Sequence, residues 1–211
     1  MMRPSIFLAD DHSLLLDAFS NLLEQKYDVI GTATDGRQLL QKLRTLEPDV
    51  VLMDIAMPHM NGFDAGEKLK QTHPNVKLIF LTMNDDPAMV TEAFRIGANG
   101  YLLKNSAASE LFQAIDSVLK SKNYVSPEIT EGMIGEFIKN PKGQKVHQNL
   151  TMRQREVLQL LAEGNTMKEI AETLHITPRT VAFHKYQMMD QLNIKNNSEL
   201  IQYAIKNGLL T

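Results

Sequence analysis

Along the first 120 residues, short apolar runs alternate with amphipathic stretches. The runs are Ile6-Phe7-Leu8-Ala9, Val50-Val51-Leu52-Met53, Leu78-Ile79-Phe80-Leu81 and Tyr101-Leu102-Leu103. A weaker one around Val29-Ile30 ends at Thr34. Continuous apolar runs bounded by polar residues suit strands buried on both faces of a parallel sheet. Between them, Leu14, Leu15, Ala18 and Leu22 mark one helical face. Leu39, Leu40, Leu43 and Leu46 mark another, with Asp35 as its N-cap. A third helix is expected from Phe63 to Thr72, stopping at His73-Pro74. A fourth runs from Asp86-Pro87 to Ile96 and closes at Gly97; a fifth covers about 106–120. Five β–α units in order predict an α/β fold, a doubly wound five-stranded parallel sheet with right-handed crossovers. Ligands of such sheets gather at the carboxyl ends of the strands.

The pattern then changes. Ser126-Pro127 has the form of a helix start inside a linker, and Asn140-Pro141-Lys142-Gly143-Gln144-Lys145 is polar and turn-rich. From Leu150 onward only helical signals appear. Thr151 with Gln154, and Thr166 with Glu169, have capping-box spacing. Gly164 and Gly208 sit where helix-ending glycines would, and Thr177-Pro178 reads as an N-cap followed by proline. These signals divide the chain into an α/β domain at 1–122, a linker at 123–146 with a short helix, and an all-α domain of four short helices at 147–211. Within the last, Ile170, Ala171 and Leu174 share a face, His175-Ile176-Thr177 is a tight connection, and Val181, Met188 and Leu192 form the next inward face. Two short helices so joined read as helix-turn-helix, with a generic helical bundle as the plain alternative.

Composition narrows the chemistry. The chain has 211 residues, 43% hydrophobic and 22% charged, enough apolar mass for packed cores. It has no cysteine, which excludes disulfides, thiolate nucleophiles and Cys-ligated metal centres. No apolar run approaches the roughly 18–20 residues that span a bilayer, and the N-terminus lacks a signal-peptide core, so a cytoplasmic protein with no membrane partner is expected. The net charge of −3 is unevenly spread. Residues 1–122 hold 12 Lys and Arg against 16 Asp and Glu, whereas residues 123–211 hold 10 against 9. The asymmetry has the sign of an acidic regulatory half and a nucleic-acid-binding half.

Polar residues close the apolar runs. Asp10 and Asp11 follow the first, Asp54 the third, Thr82 the fourth and Lys104 the fifth. In a parallel sheet these ends share one edge. Each alone reads as a cap or a solvated loop residue; together they suggest a site. Clustered carboxylates suit a hard divalent cation such as magnesium. A carboxylate can also attack phosphorus, and a lysine ammonium, a threonine hydroxyl and a cation would neutralise the charge of the transferring group.

The residues Asp10-Asp11, Met53-Asp54-Ile55-Ala56-Met57-Pro58-His59-Met60-Asn61-Gly62, Leu81-Thr82 and Tyr101-Leu102-Leu103-Lys104 resemble the receiver domain of two-component response regulators, a flavodoxin-like fold, over residues 4–122. The resemblance implies that Asp54 is the phosphoacceptor for a sensor histidine kinase. It implies magnesium held by Asp10, Asp11, Asp54 and the carbonyl of Ala56. Thr82 and Lys104 would contact the phosphoryl group, and Tyr101 would be the aromatic switch residue. Two positions depart from the family. Met83 stands where a small residue is usual and is expected to crowd the pocket, and Asn105 follows Lys104 where proline is frequent.

The string Leu150-Thr151-Met152-Arg153-Gln154-Arg155-Glu156-Val157-Leu158, then Lys168-Glu169-Ile170-Ala171, Thr180-Val181, His184 and Leu192, resembles the LuxR-type helix-turn-helix. With the receiver it makes the chain similar to the NarL/FixJ class of response regulators. By that resemblance residues 178–192 enter the major groove of DNA, and 197–207 form the helix of a homodimer. With Val181 and Met188 inward, Arg179, Ala182, Phe183, Lys185 and Tyr186 are left to face the groove, beside Thr177 and Thr180 at the helix start. Packing of Phe183 inside the domain is the competing placement. His184 reads as a packed histidine, and Met152, Met167, Met188 and Met189 as core residues. The expected function is a phosphorylation-dependent, dimeric transcription regulator and not an enzyme. A receiver serving as a phosphorylation-independent interaction module is the alternative. A phosphohydrolase is disfavoured, because no D-x-D-x-T motif surrounds Asp54.

Overall fold

A computed structural model describes residues 3–83, 85, 87–106, 108–132, 150–207 and 209. Its sheet has the order β2-β1-β3-β4-β5-β6, with every pairing parallel. The strands are β1 (Ser5–Ala9), β2 (Asp28–Ala33), β3 (Val50–Asp54), β4 (Lys77–Thr82), β5 (Gly100–Leu103) and β6 (Tyr124–Val125). Helices α1 (Ser13–Leu23), α2 (Gly36–Lys42), α3 (Gly62–Thr72), α4 (Pro87–Ile96) and α5 (Ala108–Leu119) alternate with them. Side chains alternate across each strand. Phe7, Val51, Met53, Phe80, Tyr101 and Leu103 join one core, whereas Ile6, Leu8, Leu52, Ile79, Leu81 and Leu102 join the other. Burial on both faces is the reason the strands read as unbroken apolar runs.

The sheet has six strands rather than the expected five. Tyr124–Val125 pairs with Gly100 and Tyr101, and two residues are too few to leave a periodic signal. The backbone NH of Ser126 then donates to the Tyr101 carbonyl, and its hydroxyl accepts from the NH of Leu103. Residues 127–132, here α6, are helical, and Ile129 is buried in the same core as Tyr101. The polar stretch 140–145 lies outside the described residues. On α1 the buried face is Leu16 and Leu23, with Phe19 and Leu22 packed beside them. Leu14, assigned inward from spacing, is 81% exposed. Three consecutive leucines fit two helical phases equally well, and contact with α5 and the sheet selects one.

The helical domain comprises α7 (Met152–Ala162), α8 (Met167–Leu174), α9 (Pro178–Gln191) and α10 (Asn197–Lys206). Both capping boxes form, at Thr151 with Gln154 and at Thr166 with Glu169. Asp35 caps α2, and Thr177 caps α9 with Pro178 in its first turn. Gly164 takes φ +89°, which favours glycine after a helix end; Gly208 lies outside the described residues. Leu158, Val157, Ile170, Leu174, Val181, Met188 and Leu200 form one core.

The two domains meet through α7. It lies against α3 and the loop between β3 and α3. Arg155 reaches three carboxylates, Asp64 and Glu67 at 2.8 Å and Glu92 at 3.1 Å. Lys68 pairs with Glu156 at 2.7 Å. Asp64 is fully buried, and burial pushes its pKa up to about 6 against the opposing pull of Arg155 and Asn61.

Two outcomes follow from this packing. A Cβ at Gly62 would collide with the backbone oxygen of Asp54, because the loop folds back until the NH of Gly62 bonds the Ile55 carbonyl. Gly62→Ala should therefore cost about 1–3 kcal/mol in urea unfolding. Gly132→Ala, with open space around it, should not. For Asp64, the folded chain takes up a proton as pH falls through about 6, whereas the unfolded chain does so only near about 3.9. This group's contribution is least favourable above that window and improves as pH falls across it. The stability of wild type relative to Asp64→Asn should accordingly rise from about pH 7 to about pH 5. A pH-independent difference would contradict the assignment.

Candidate functional site

Parallel register delivers the polar strand ends to one edge. Met53 lies opposite Ala9 and Phe80, and Thr82 opposite Leu103, so Asp10, Asp54, Thr82 and Lys104 emerge side by side. Asp10, Asp54 and Thr82 are buried. The Lys104 ammonium lies 2.7 Å from both Asp10 Oδ2 and Asp54 Oδ2. Burial pushes the pKa of Asp54 up to about 6; Lys104 pulls it back, and Asp10 adds to the rise. Burial opposes the charge of Lys104, but the two carboxylates outweigh it and hold its pKa above the ordinary value. The Ala56 NH donates to Asp54, so the following loop also touches the carboxylate.

The donor set is oxygen-rich. Asp10, Asp11, His12 and Asp54 each offer a ligand atom within 4.8 Å of the others. Asp10 Oδ2, Asp11 Oδ1 and Asp54 Oδ2 are buried without a directed hydrogen bond. The Lys104 ammonium pairs the charges of Asp10 and Asp54. Buried carboxylate oxygens with lone pairs to spare fit a hard divalent cation. His12 was not singled out from the sequence. Its Nδ1 stands 2.9 Å from Asp11 Oδ1, and the Asp-Asp-His run was the available signal. Tyr101 is fully buried, turned into the core on the α3 and α4 side. Met83 does not fill the pocket: it is 73% exposed. No cis peptide bond occurs among the described residues.

On α9 the expected DNA-facing set divides. Phe183 and Tyr186 are each 61% exposed, Arg179 is exposed and Ala182 half-buried. Phe183 is therefore not packed inside the domain. The Thr177 hydroxyl accepts from the NH of Thr180 and lies 2.9 Å from its hydroxyl, so both threonines serve the helix cap. Lys185 departs from expectation. It is 7% exposed, on the inward face with Val181 and Met188. The spacing from 181 to 185 to 188 is itself helical, and its charge alone had placed it outside. The aliphatic stem can be buried while the ammonium stays near the surface, here 5.5 Å from the Tyr186 ring.

The residues in and just after α7 that reach the receiver, Arg155, Glu156, Gln159 and Glu163, were not given that role from the sequence either. Their partners lie 63 to 104 positions away, and a polar residue on a helix gives no sign of a distant partner.

Comparison with known proteins follows the same division. Residues 6–116 match the response regulator receiver domain, and residues 148–204 match the bacterial regulatory proteins of the luxR family. The oxygen regulatory protein NreC of Staphylococcus carnosus is 37% identical, over 97% of this chain and 98% of that protein. NreC of Staphylococcus aureus (strain MRSA252) is 38% identical with the same coverage. Among solved structures, the RcsB response regulator of Salmonella typhimurium superposes with a TM-score of 0.69 at 27% identity, over 98% of this chain and 99% of that one. RcsB bound to promoter rprA with the phosphomimetic BeF3− gives 0.67 at 28% identity, over 95% and 98%. From the acidic strand-end site to the capped helices of its second domain, this chain belongs to the response regulators that join a receiver to a LuxR-type helix-turn-helix, the NarL/FixJ class.

Proposed function

We propose that the chain is a cytoplasmic transcription regulator that accepts a phosphoryl group on Asp54 from a sensor histidine kinase and binds DNA as a dimer. The observation that carries this reading is the convergence of Asp10, Asp11, Asp54, Thr82 and Lys104 on one sheet edge. An Asp54 carboxylate oxygen attacks phosphorus, the bond from phosphorus to the kinase imidazole breaks, and the imidazole nitrogen keeps the electron pair. Negative charge on the transferring oxygens is met by Lys104, already within reach of Asp54, while the Thr82 hydroxyl donates from the neighbouring strand. Magnesium, held by Asp10, Asp11, Asp54 and the Ala56 carbonyl, would offset the remaining charge. Tyr101, beside Leu102 and Leu103 on the strand that ends at Lys104, reports the state of the pocket to the outer face.

On the helical side, Phe183, Tyr186 and Ala182 form an apolar reading surface with Arg179 at its edge. Such residues suit thymine methyl groups, with arginine for guanine or phosphate. RcsB is described as two dimers bound to two parallel DNAs, and paired half-sites need a two-fold partner. Helix α10, with Ile201 and Ile205 exposed four residues apart, supplies an apolar face for the second copy.

Asp54→Asn should abolish labelling by acetyl phosphate and the accompanying rise in dimer fraction on sedimentation. Asp11→Ala should slow labelling and weaken magnesium binding together. Full labelling of Asp54→Asn would move the acceptor elsewhere. On DNA, Phe183→Ala should alter preference at one or two base pairs with little change in stability. Arg179→Ala should make the salt dependence shallower by about one unit if it meets a phosphate. Lys185→Ala should instead lower thermal stability, because its stem is packed in the core. Selection of bound fragments and melting curves read these outcomes.

A further inference from the structure

Lys104 opens a turn that is held from outside. Its NH bonds the Thr82 carbonyl at 2.7 Å, and the NH of Ser106 bonds the Leu103 carbonyl at 3.1 Å. Between them stands Asn105, exposed and without the ring by which a proline would fix φ. A further restraint comes from Ser126, 23 positions after Leu103. Ser126 is 1% exposed. Its NH donates to the Tyr101 carbonyl at 3.1 Å, where β6 ends against β5, and its carbonyl accepts from the NH of Thr130 at 3.1 Å in the first turn of α6. Beyond that rung the side chain takes over from the backbone. The hydroxyl donates to Glu110 Oε1 of α5 at 2.5 Å and accepts from the NH of Leu103 at 3.2 Å. With its proton directed at Glu110, it also has a lone pair for the Ser106 hydroxyl, 3.4 Å away. One donated and two accepted bonds are the full capacity of a hydroxyl. Ser126 thus touches the residue before Lys104 and the second residue after it.

We propose that Ser126 is a positioning residue for phosphoryl transfer: by bracketing the Lys104 turn, it sets where the ammonium stands between Asp10 and Asp54. The inference rests on the phosphoacceptor reading above. The Lys104 side chain is 7% exposed and lies 2.7 Å from each carboxylate. A stem so enclosed has few other rotamers available, and a displaced backbone therefore displaces the charge. The NH of Leu103 sits past the end of the two-residue β6, so no backbone carbonyl of that strand completes its rung. Without the hydroxyl, a buried donor loses its acceptor, and the strand end shifts or admits water to satisfy it. Stabilisation of the transferring oxygens depends on a charge already in place and falls steeply when that charge is misplaced. Glu110 belongs to the same device, because it fixes the direction of the Ser126 proton and so leaves the lone pairs facing the turn.

The test is labelling of the full chain by acetyl phosphate at saturating magnesium, well below the melting transition, with the nuclear resonance of the Lys104 Nζ protons read alongside. Ser126→Ala should lower the maximal labelling rate by about threefold to tenfold and leave KM for acetyl phosphate near the wild-type value, the split expected when an interaction made in the transition state is weakened. The Lys104 resonance should shift or broaden with it. Glu110→Ala, which frees the hydroxyl, should move both readouts in the same direction, whereas Glu110→Gln, which still accepts from Ser126, should restore them. Adding Glu110→Ala to Ser126→Ala should change little further. A hydroxyl with only a structural part lowers the melting temperature and moves neither the rate nor the resonance; that result in folded Ser126→Ala overturns the inference. Absence of labelling in wild type overturns the phosphoacceptor reading instead, and the Lys104 resonance of Ser126→Ala then still decides whether Ser126 positions the lysine.

Discussion

A lysine ammonium held between two buried carboxylates is the constraint around which this molecule is arranged. Removing an ion from water costs roughly several kcal/mol, and a buried charge persists only where a partner is held close to it. Lys104 meets that condition because β1, β3 and β5 end on the same edge in a register that leaves Asp10 and Asp54 each 2.7 Å from it. The register depends on apolar packing on both sheet faces. A one-residue slip would move a strand's side chains from one core to the other and carry its terminal polar residue away from the site. The close turn at Gly62 belongs to the same arrangement, since it brings α3 back against the end of β3.

The contact between domains has a different character. Each domain has its own apolar core, whereas the junction is built from Arg155, Lys68, Glu156, Gln159 and their acidic or amide partners. Polar junctions of this kind are specific in geometry, and their net stabilisation is modest because the separated groups regain water. The buried Asp64, with its raised pKa, shows the cost of desolvating such a contact, and Arg155 is what makes that burial tolerable.

Much of the molecule was legible before its coordinates. The period of the apolar runs identified the first five strands, and the capping residues Asp35, Thr151, Thr166 and Thr177 marked helix starts that form. These signals are local: a strand buried on both faces must be apolar throughout, and an N-cap must carry a side chain able to accept from the first turn. Asp10, Asp11, Asp54, Thr82 and Lys104 were also legible, because a parallel sheet gathers strand ends. The failures have local causes as well. Leu14-Leu15-Leu16 offers two helical phases, β6 is too short to show a period, and the charge of Lys185 concealed its place on an inward face.

By itself, then, the chain determined the α/β order, the polar residues at the strand ends, the change to helices after residue 150, and the family that these motifs mark. Each depends on neighbours in sequence or on a rule of parallel sheets. Only the tertiary structure decided which face of α1 is buried, that Lys185 turns inward, that Phe183 stays in solvent, and that Gln159 holds the loop after Asp54. Those outcomes depend on contacts between residues far apart in the chain. A glutamine on a helix has the same sequence signature whether its amide faces water or the carbonyl of Met57, and only the packing of one domain on the other distinguishes them.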